Sequence, residues 1–318
     1  MEAHAAKRFE KIYVEIGSVC NLQCDFCPPV ERDGQRMERA LFERVIAEAA
    51  PLAGRVCFHL MGEPLAHPEF AAFIEICAAR GLPVEIATNG TLLDAARSAA
   101  LLRPIVAQVN FSVHSFAANF PGRDIGPYLN GIFAFTRRAL QERPELYVNY
   151  RLWNLGGADE GRNEDVIRRV EREFGVAVER GVDVRRRKSR RVLGRLSLHF
   201  DTRFEWPRLD APEASSTGTC RALSAQVGIL ADGTVVPCCL DKEGATVLGN
   251  IRTRSLSAIT SGERARRMLE GFARGRLVED LCRRCTFVAR FDAQARRKAA
   301  GVTAASGSVG SRATASGR

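Results

Sequence analysis

No run of about 18 apolar residues occurs in this 318-residue chain, so no membrane-spanning helix is expected. The first residues, Met1 to Glu10, lack the apolar stretch of a secretory signal. Ten cysteines without such a signal argue for reduced thiols or metal ligands rather than a disulfide framework, and for a cytoplasmic location. Charge is unbalanced, with 47 Lys and Arg against 37 Asp and Glu, a net +10. The densest basic run, Arg185-Arg186-Arg187-Lys188-Ser189-Arg190-Arg191, has no interleaved aromatics. A platform for stacking nucleic-acid bases is therefore missing, and a solvated loop or strand edge is the expectation. One further absence matters most: the first cysteine group has no fourth member nearby.

That group is Cys20-Asn21-Leu22-Gln23-Cys24-Asp25-Phe26-Cys27, spaced C-x3-C-x2-C after a β-type run. A short loop of this kind can wrap its thiolates around one inorganic centre. Three thiolates are one short of a structural zinc site or a fully ligated iron–sulfur cube, which leaves a metal position open for chemistry.

The rest of the chain alternates short strands with longer helical patterns. Strands are expected at Lys11–Ile16, Arg55–Leu60, Pro83–Thr88, Val106–Val113, Leu146–Leu152 and Leu196–Phe200. Helices are expected at Glu38–Ala50, Pro68–Arg80, Leu93–Leu102, Ile125–Glu142 and Glu164–Phe174. Such a repeat implies a parallel sheet with right-handed crossovers, and six strands are too few for a closed eight-stranded barrel. Period-two alternation puts Tyr13 and Glu15, His59 and Met61, Asn110, Ser112 and His114, Asn149, Arg151 and Trp153, and Ser197, His199 and Asp201 on inward rows. Cys57 and Cys77, in a strand and an apolar helix face, are expected in the core.

The Cys20-x3-Cys24-x2-Cys27 motif, with Phe26 before its last cysteine, resembles the signature of the radical S-adenosylmethionine (SAM) superfamily. The resemblance implies an α/β fold, a partial (β/α)6 TIM-like barrel, with the cysteine loop at the C-terminal end of its first strand. It implies that Cys20, Cys24 and Cys27 hold a [4Fe-4S] cluster whose fourth iron is chelated by SAM. Electron transfer would then yield a 5'-deoxyadenosyl radical that abstracts hydrogen from substrate. Met61-Gly62-Glu63-Pro64 is similar to the family's Gly-Gly-Glu-Pro motif, with Met61 departing from it. Gly62, Glu63 and Pro64 are thereby implied in binding the SAM amino group, and Phe26 in packing near adenine. Thr88-Asn89-Gly90 resembles the family's Thr-Asn-Gly turn, which brings in Asn89. Ser112 and Arg151 fall where the family places ribose and carboxylate contacts. An electron donor of flavodoxin or ferredoxin type is implied as partner.

A linker around Asp210–Gly218 leads to a second cysteine set: Cys220, Cys238, Cys239, Cys282 and Cys285. Between the first two, Asp232-Gly233 flanked by apolar runs (225–230 and 234–237) signals a hairpin. Cys220-x12-Gly233-x4-Cys238, with Cys282-x2-Cys285, resembles the opening of SPASM and twitch domains. Cys220, Cys238, Cys282 and Cys285 would then hold one auxiliary [4Fe-4S] cluster, in an α+β unit of the shorter twitch form, and Cys239 would be free. A four-cysteine zinc ribbon shares these ligand types and stays open. The expected division is 1–210 for the core barrel, 211–298 for the auxiliary domain and 299–318 for a disordered tail. The function implied is a net oxidation, of a small alcohol or amino-sugar-like metabolite or of a peptide or protein side chain. The short segment before the first strand tilts this toward a small molecule or a separate recognition partner. The competing class is a non-catalytic zinc protein that uses Cys24/Cys27 and Cys282/Cys285 with its basic surface to bind nucleic acid.

Overall fold

The computed structural model describes residues 7–184, 186–203 and 205–291; the expected tail lies outside them. The chain runs β1 (Lys11–Val14), α1 (Arg39–Ala49), β2 (Val56–Phe58), α2 (Phe70–Ala79), β3 (Val84–Thr88), α3 (Ala95–Leu101) and β4 (Val106–Phe111). It continues with α4 (His114–Asn119), α5 (Gly126–Glu142), β5 (Tyr147–Leu155), α6 (Asn163–Phe174), β6 (Ser189–Leu193) and β7 (Leu196–Thr202). Last come β8 (Gln226–Ile229), β9 (Thr234–Val236), β10 (Gly249–Asn250), α7 (Leu256–Thr260), α8 (Glu263–Ala273) and α9 (Asp280–Arg283).

All six expected strands form and pair in parallel, in the order β1-β2-β3-β4-β5-β7. The sheet stays open. Its far edge is β6, antiparallel to β7. This strand takes up the end of the basic run, where Arg190 and Arg191 sit on an edge, as the missing aromatics suggested. At the other edge the hairpin β8–β9 continues the same sheet, because β8 pairs in parallel with β1. The second cysteine set is therefore built directly onto the strand that precedes the first.

Alternation explains which residues go where. Ile12, Val14 and Ile16 are buried against the helices, while Tyr13 faces the barrel interior. On α1, Leu41, Phe42, Val45, Ile46 and Ala49 form one apolar stripe. Phe42 stacks on Phe73 of α2 at 4.0 Å and meets Phe58 of β2 edge-on at 5.5 Å. One expectation needs correction. β4 stops at Phe111, so His114 is not the third member of its inward row; it opens α4 instead. Cys57 and Cys77 are both buried as expected, Cys57 on the interior side beside Tyr13 and His59 and Cys77 in the helix-side core.

The Phe42–Phe73–Phe58 contact ties two helices to the sheet beneath the cysteine loop. Phe42→Ala is expected to cost about 3–5 kcal/mol of unfolding free energy, read by chemical denaturation. A loss under about 1 kcal/mol would mean that this cluster is not part of the cooperative core.

Candidate functional site

The loop after β1 carries the first three cysteines and is held from several sides. Gly62, with φ of 75°, passes so close that a Cβ there would lie 2.1 Å from the Gly17 carbonyl oxygen. The Glu63 amide donates to the Val19 carbonyl at 3.0 Å. Glu63 is buried, and its carboxylate accepts from the Leu65 amide (2.9 Å), the Thr88 hydroxyl (2.6 Å) and the Asn89 amide (2.7 Å). Burial pushes its pKa up, and the three donors pull against that. Four lone-pair positions less three leave Glu63 one acceptor position, on Oε2. Asn89 reaches back to the cysteine loop: its Nδ2 donates to Asn21 Oδ1 at 2.9 Å and lies 3.8 Å from Cys20 Sγ.

A side chain that carries no sequence signal completes the hold. Asn119, at the end of α4, donates Nδ2 to Cys24 Sγ (3.0 Å) and to the Ser115 carbonyl (2.8 Å), and accepts from the Gln23 amide (2.7 Å). Phe26 lies between the His114 ring, 4.8 Å away, and the Arg203 guanidinium, 5.4 Å away. Arg203 also pairs with Asp25 and Asp159, at 2.7 and 2.9 Å.

These residues border a cavity of about 770 Å³, faced by Cys20, Cys24, Cys27, Glu63, Asn89 and Ser112. A smaller cavity of about 320 Å³ is faced by Cys220, Cys238, Cys239, Cys282 and Cys285. His59, Arg151 and Trp153 face both. Tyr13, Lys11, Cys57 and Glu85 belong to the smaller one. Sequence alternation missed Glu85, although a glutamate within Val84–Thr88 was a visible signal. It accepts from Lys11 at 2.7 Å, has Arg55 and Arg151 at 3.8 and 3.9 Å, and lies within reach of Gln108 and Asn110. Burial opposes its charge, but Lys11, Arg151 and Arg55 outweigh burial and hold its pKa below the usual value.

Burial raises Cys20, Cys24 (to about 11), Cys27 (to about 12), Cys238, Cys239 (to about 12), Cys282 and Cys285. Neighbouring thiols add to this for Cys27, Cys238 and Cys282, so only a cationic centre would draw them into thiolate form. Among the described residues, no three His, Cys, Asp or Glu side chains converge on a point where one metal ion could sit. Thiols are the donors that iron–sulfur clusters use, so both sets fit a cluster in chemistry. Cys24/Cys27 and Cys282/Cys285 face different cavities and do not meet.

Comparison with known proteins accords with this. Residues 14–141 match the model of the radical SAM superfamily. Residues 220–286 match that of SPASM, an iron–sulfur cluster-binding domain. The chain is a radical SAM enzyme with a SPASM domain. Its cofactors are SAM, the [4Fe-4S] cluster that binds it, and auxiliary iron–sulfur chemistry. It is 36% identical over 86 residues to a tungsten-containing aldehyde ferredoxin oxidoreductase cofactor-modifying protein of Pyrococcus furiosus. That match spans 26% of this chain and only 24% of the relative. It is 25% identical over 294 residues to an SAM-dependent 2-deoxy-scyllo-inosamine dehydrogenase of Niallia circulans, covering 89% of this chain and 94% of that one. Among solved structures, BtrN in complex with AdoMet and 2-DOIA shares the fold at a TM-score of 0.56 and 20% identity, over 89% of this chain and 94% of that one. No helix among the described residues is long and apolar enough to cross a membrane.

Two predictions follow from this geometry. Gly62→Ala should displace the cysteine loop and lower iron uptake on reconstitution well below that of the parent; unchanged uptake would show that the close approach to Gly17 is dispensable. Burial and the Arg151 charge depress His59 and His199 from 6.5 to about 4. A depressed histidine pKa means that the unfolded chain binds more protons between those values, so stability falls as pH drops from 6.5 toward 4. The melting temperature should fall across this window, with a shallower slope in His199→Gln; an identical slope would contradict the assignment.

Proposed function

We propose that this enzyme oxidises a carbinol of a small metabolite to a carbonyl. The observation that carries this reading is the wall common to the two cavities, where His59, Arg151 and Trp153 face both cysteine sets. A substrate seated there would lie between the two centres. The dehydrogenase relative, similar over 89% of this chain, supports the same reaction class.

In this reading Cys20, Cys24 and Cys27 hold the SAM-binding cluster, and Cys220, Cys238, Cys282 and Cys285 hold the auxiliary one. Residues 1–210 and 211–298 are the respective domains. Phe26, Gly62, Glu63, Pro64, Asn89 and Ser112 surround SAM, with the free acceptor position of Glu63 turned to its ammonium. When bound, these groups supply a 5'-deoxyadenosyl radical and an acceptor for one electron. The chain supplies the rest. Removing hydrogen from a carbinol carbon leaves a radical that must also lose its hydroxyl proton before a carbonyl forms. The His59 ring makes no hydrogen bond among the described residues and, with its pKa depressed to about 4, is neutral at physiological pH. A ring nitrogen of His59 takes the hydroxyl proton. Trp153 donates Nε1–H to His199 Nδ1 at 2.9 Å and so fixes the adjoining wall. The +10 surface favours an acidic electron donor of flavodoxin or ferredoxin type. Thiols kept reduced for metal ligation suit a cytoplasmic setting.

Anaerobic reconstitution should give about eight irons per chain, falling to about four in Cys20/Cys24/Cys27→Ala. With a panel of carbinol-deuterated polyols and sugar derivatives, deuterium should appear in 5'-deoxyadenosine. His59→Gln should slow ketone formation by about 10²-fold or more while SAM cleavage persists. Cys282/Cys285→Ala should still cleave SAM but yield no ketone. Oxidised product at the parent's rate from that double variant would refute the electron-acceptor role, and zinc without a cluster spectrum would refute the whole reading.

A further inference from the structure

The floor of the barrel carries more positive charge than it neutralises. Glu85 is 3% exposed and faces three cations: Lys11 at 2.7 Å, Arg55 at 3.8 Å and Arg151 at 3.9 Å. One carboxylate against three cations leaves an excess of two. Other carboxylates near the chamber are committed elsewhere. Asp201 pairs with Lys188 and Arg290, Asp25 and Asp159 pair with Arg203, and buried Asp241 accepts from the Ala245 and Thr246 amides at 2.7 and 2.8 Å. The nearby His59 and His199 rings are neutral at physiological pH.

Arg151 is the most buried of these three cations. Its side chain is only 13% accessible and stacks on Trp153 at 4.4 Å. Among the described residues its guanidinium donates no hydrogen bond, although it carries five N–H groups. A buried guanidinium left so is costly unless a ligand supplies the acceptors, and a planar oxyanion matches its fork.

We propose that the substrate bears an oxyanion, as a polyhydroxy carboxylate or a phosphate ester does, and that Arg151 binds this group on the barrel floor. The carboxylate of SAM is the competing occupant, because Arg151 also faces the larger cavity, and SAM affinity in the Arg151→Gln variant separates the two. Thr88 is level with Phe111 and Tyr150, so the Arg151 backbone stands near the rim and its guanidinium reaches toward Glu85, three residues deeper on β3. Thr88 and Asn89 bind Glu63 at the rim, where the SAM ammonium is assigned. The relative from Niallia circulans is named for an amine substrate. A protonated amine on this floor would add a fourth cation. This inference rests on the small-molecule reading above and deepens it.

The test is isothermal titration of the reconstituted, SAM-loaded protein with inorganic phosphate, gluconate, a hexose phosphate, inositol and streptamine. The oxyanions should bind, and the neutral and amine ligands should not. Comparing gluconate with the hexose phosphate separates carboxylate from phosphate. Arg151→Gln should weaken oxyanion binding by about tenfold or more and leave SAM affinity unchanged, with Arg151→Lys intermediate. Inositol or streptamine binding as tightly as the anions would overturn the proposal. So would absence of any oxyanion binding, or loss of SAM binding alone in Arg151→Gln. If that variant takes up no clusters, the parent's ranking of ligands decides. Binding needs no turnover, so failure here is distinguishable from failure of the dehydrogenase reading, which deuterium transfer and ketone formation report.

Discussion

The buried carboxylate of Glu63 is the contact on which the upper site depends. It follows β2, binds the turn after β3 through Thr88 and Asn89, and its own amide pairs with the loop after β1. Three consecutive strand ends are thereby fixed to one another. Neutral hydrogen bonds would hold such a junction, but ionised acceptors form shorter and stronger ones. The arrangement depends on Gly62, since a side chain there would meet the Gly17 backbone. The cysteine loop is thus positioned by backbone and carboxylate rather than by a large apolar cluster, which leaves the cavity above it open.

A second constraint is that β1 serves both halves of the molecule. It pairs with β2 on one side and β8 on the other. The two halves are also tied by Arg32, which makes two 2.8 Å contacts to the buried Glu15 and donates to the Lys242 carbonyl. Lys242 in turn donates to the Pro29 carbonyl at 2.9 Å. The loop bearing Cys27 and the segment after Cys239 therefore hold one another. Two cavities back to back, sharing one wall, follow from that single strand and these straps.

Much of this was legible in the sequence, and the reasons are physical. Six strands, five helices and the Asp232-Gly233 hairpin are local patterns of period and turn chemistry, and each formed within a few residues of its expected bounds. The cysteine spacings and Gly62-Glu63-Pro64 are short-range motifs, so they too were readable. What escaped depends on contacts distant in sequence. Asn119 meets Cys24 across 95 residues, and Arg203 meets Asp25 across 178. Neither carries a local signature. His114 was misplaced because alternation continued past Phe111, where the backbone turns into α4. The merging of β8 into the main sheet was equally invisible, since parallel pairing with β1 leaves no mark on either strand alone.

The interior also shows how one set of charges can settle two titrations in opposite senses. Glu85 and His59 are both deep in the barrel, and burial alone would make both neutral. The cations decide otherwise for the carboxylate. Lys11 and Arg151 stabilise its charge, while the same Arg151 and Lys11 add to the burial that keeps His59 unprotonated. A neutral imidazole beside a fixed cation can accept a proton and remains available at physiological pH. Replacing Glu85 by a neutral residue would remove the one anion that favours protonated His59 and leave three cations unopposed. The acid–base state of this chamber is therefore a property of the whole floor, and any anionic ligand that enters it shifts His59 toward protonation by taking up the role that Glu85 fills only in part.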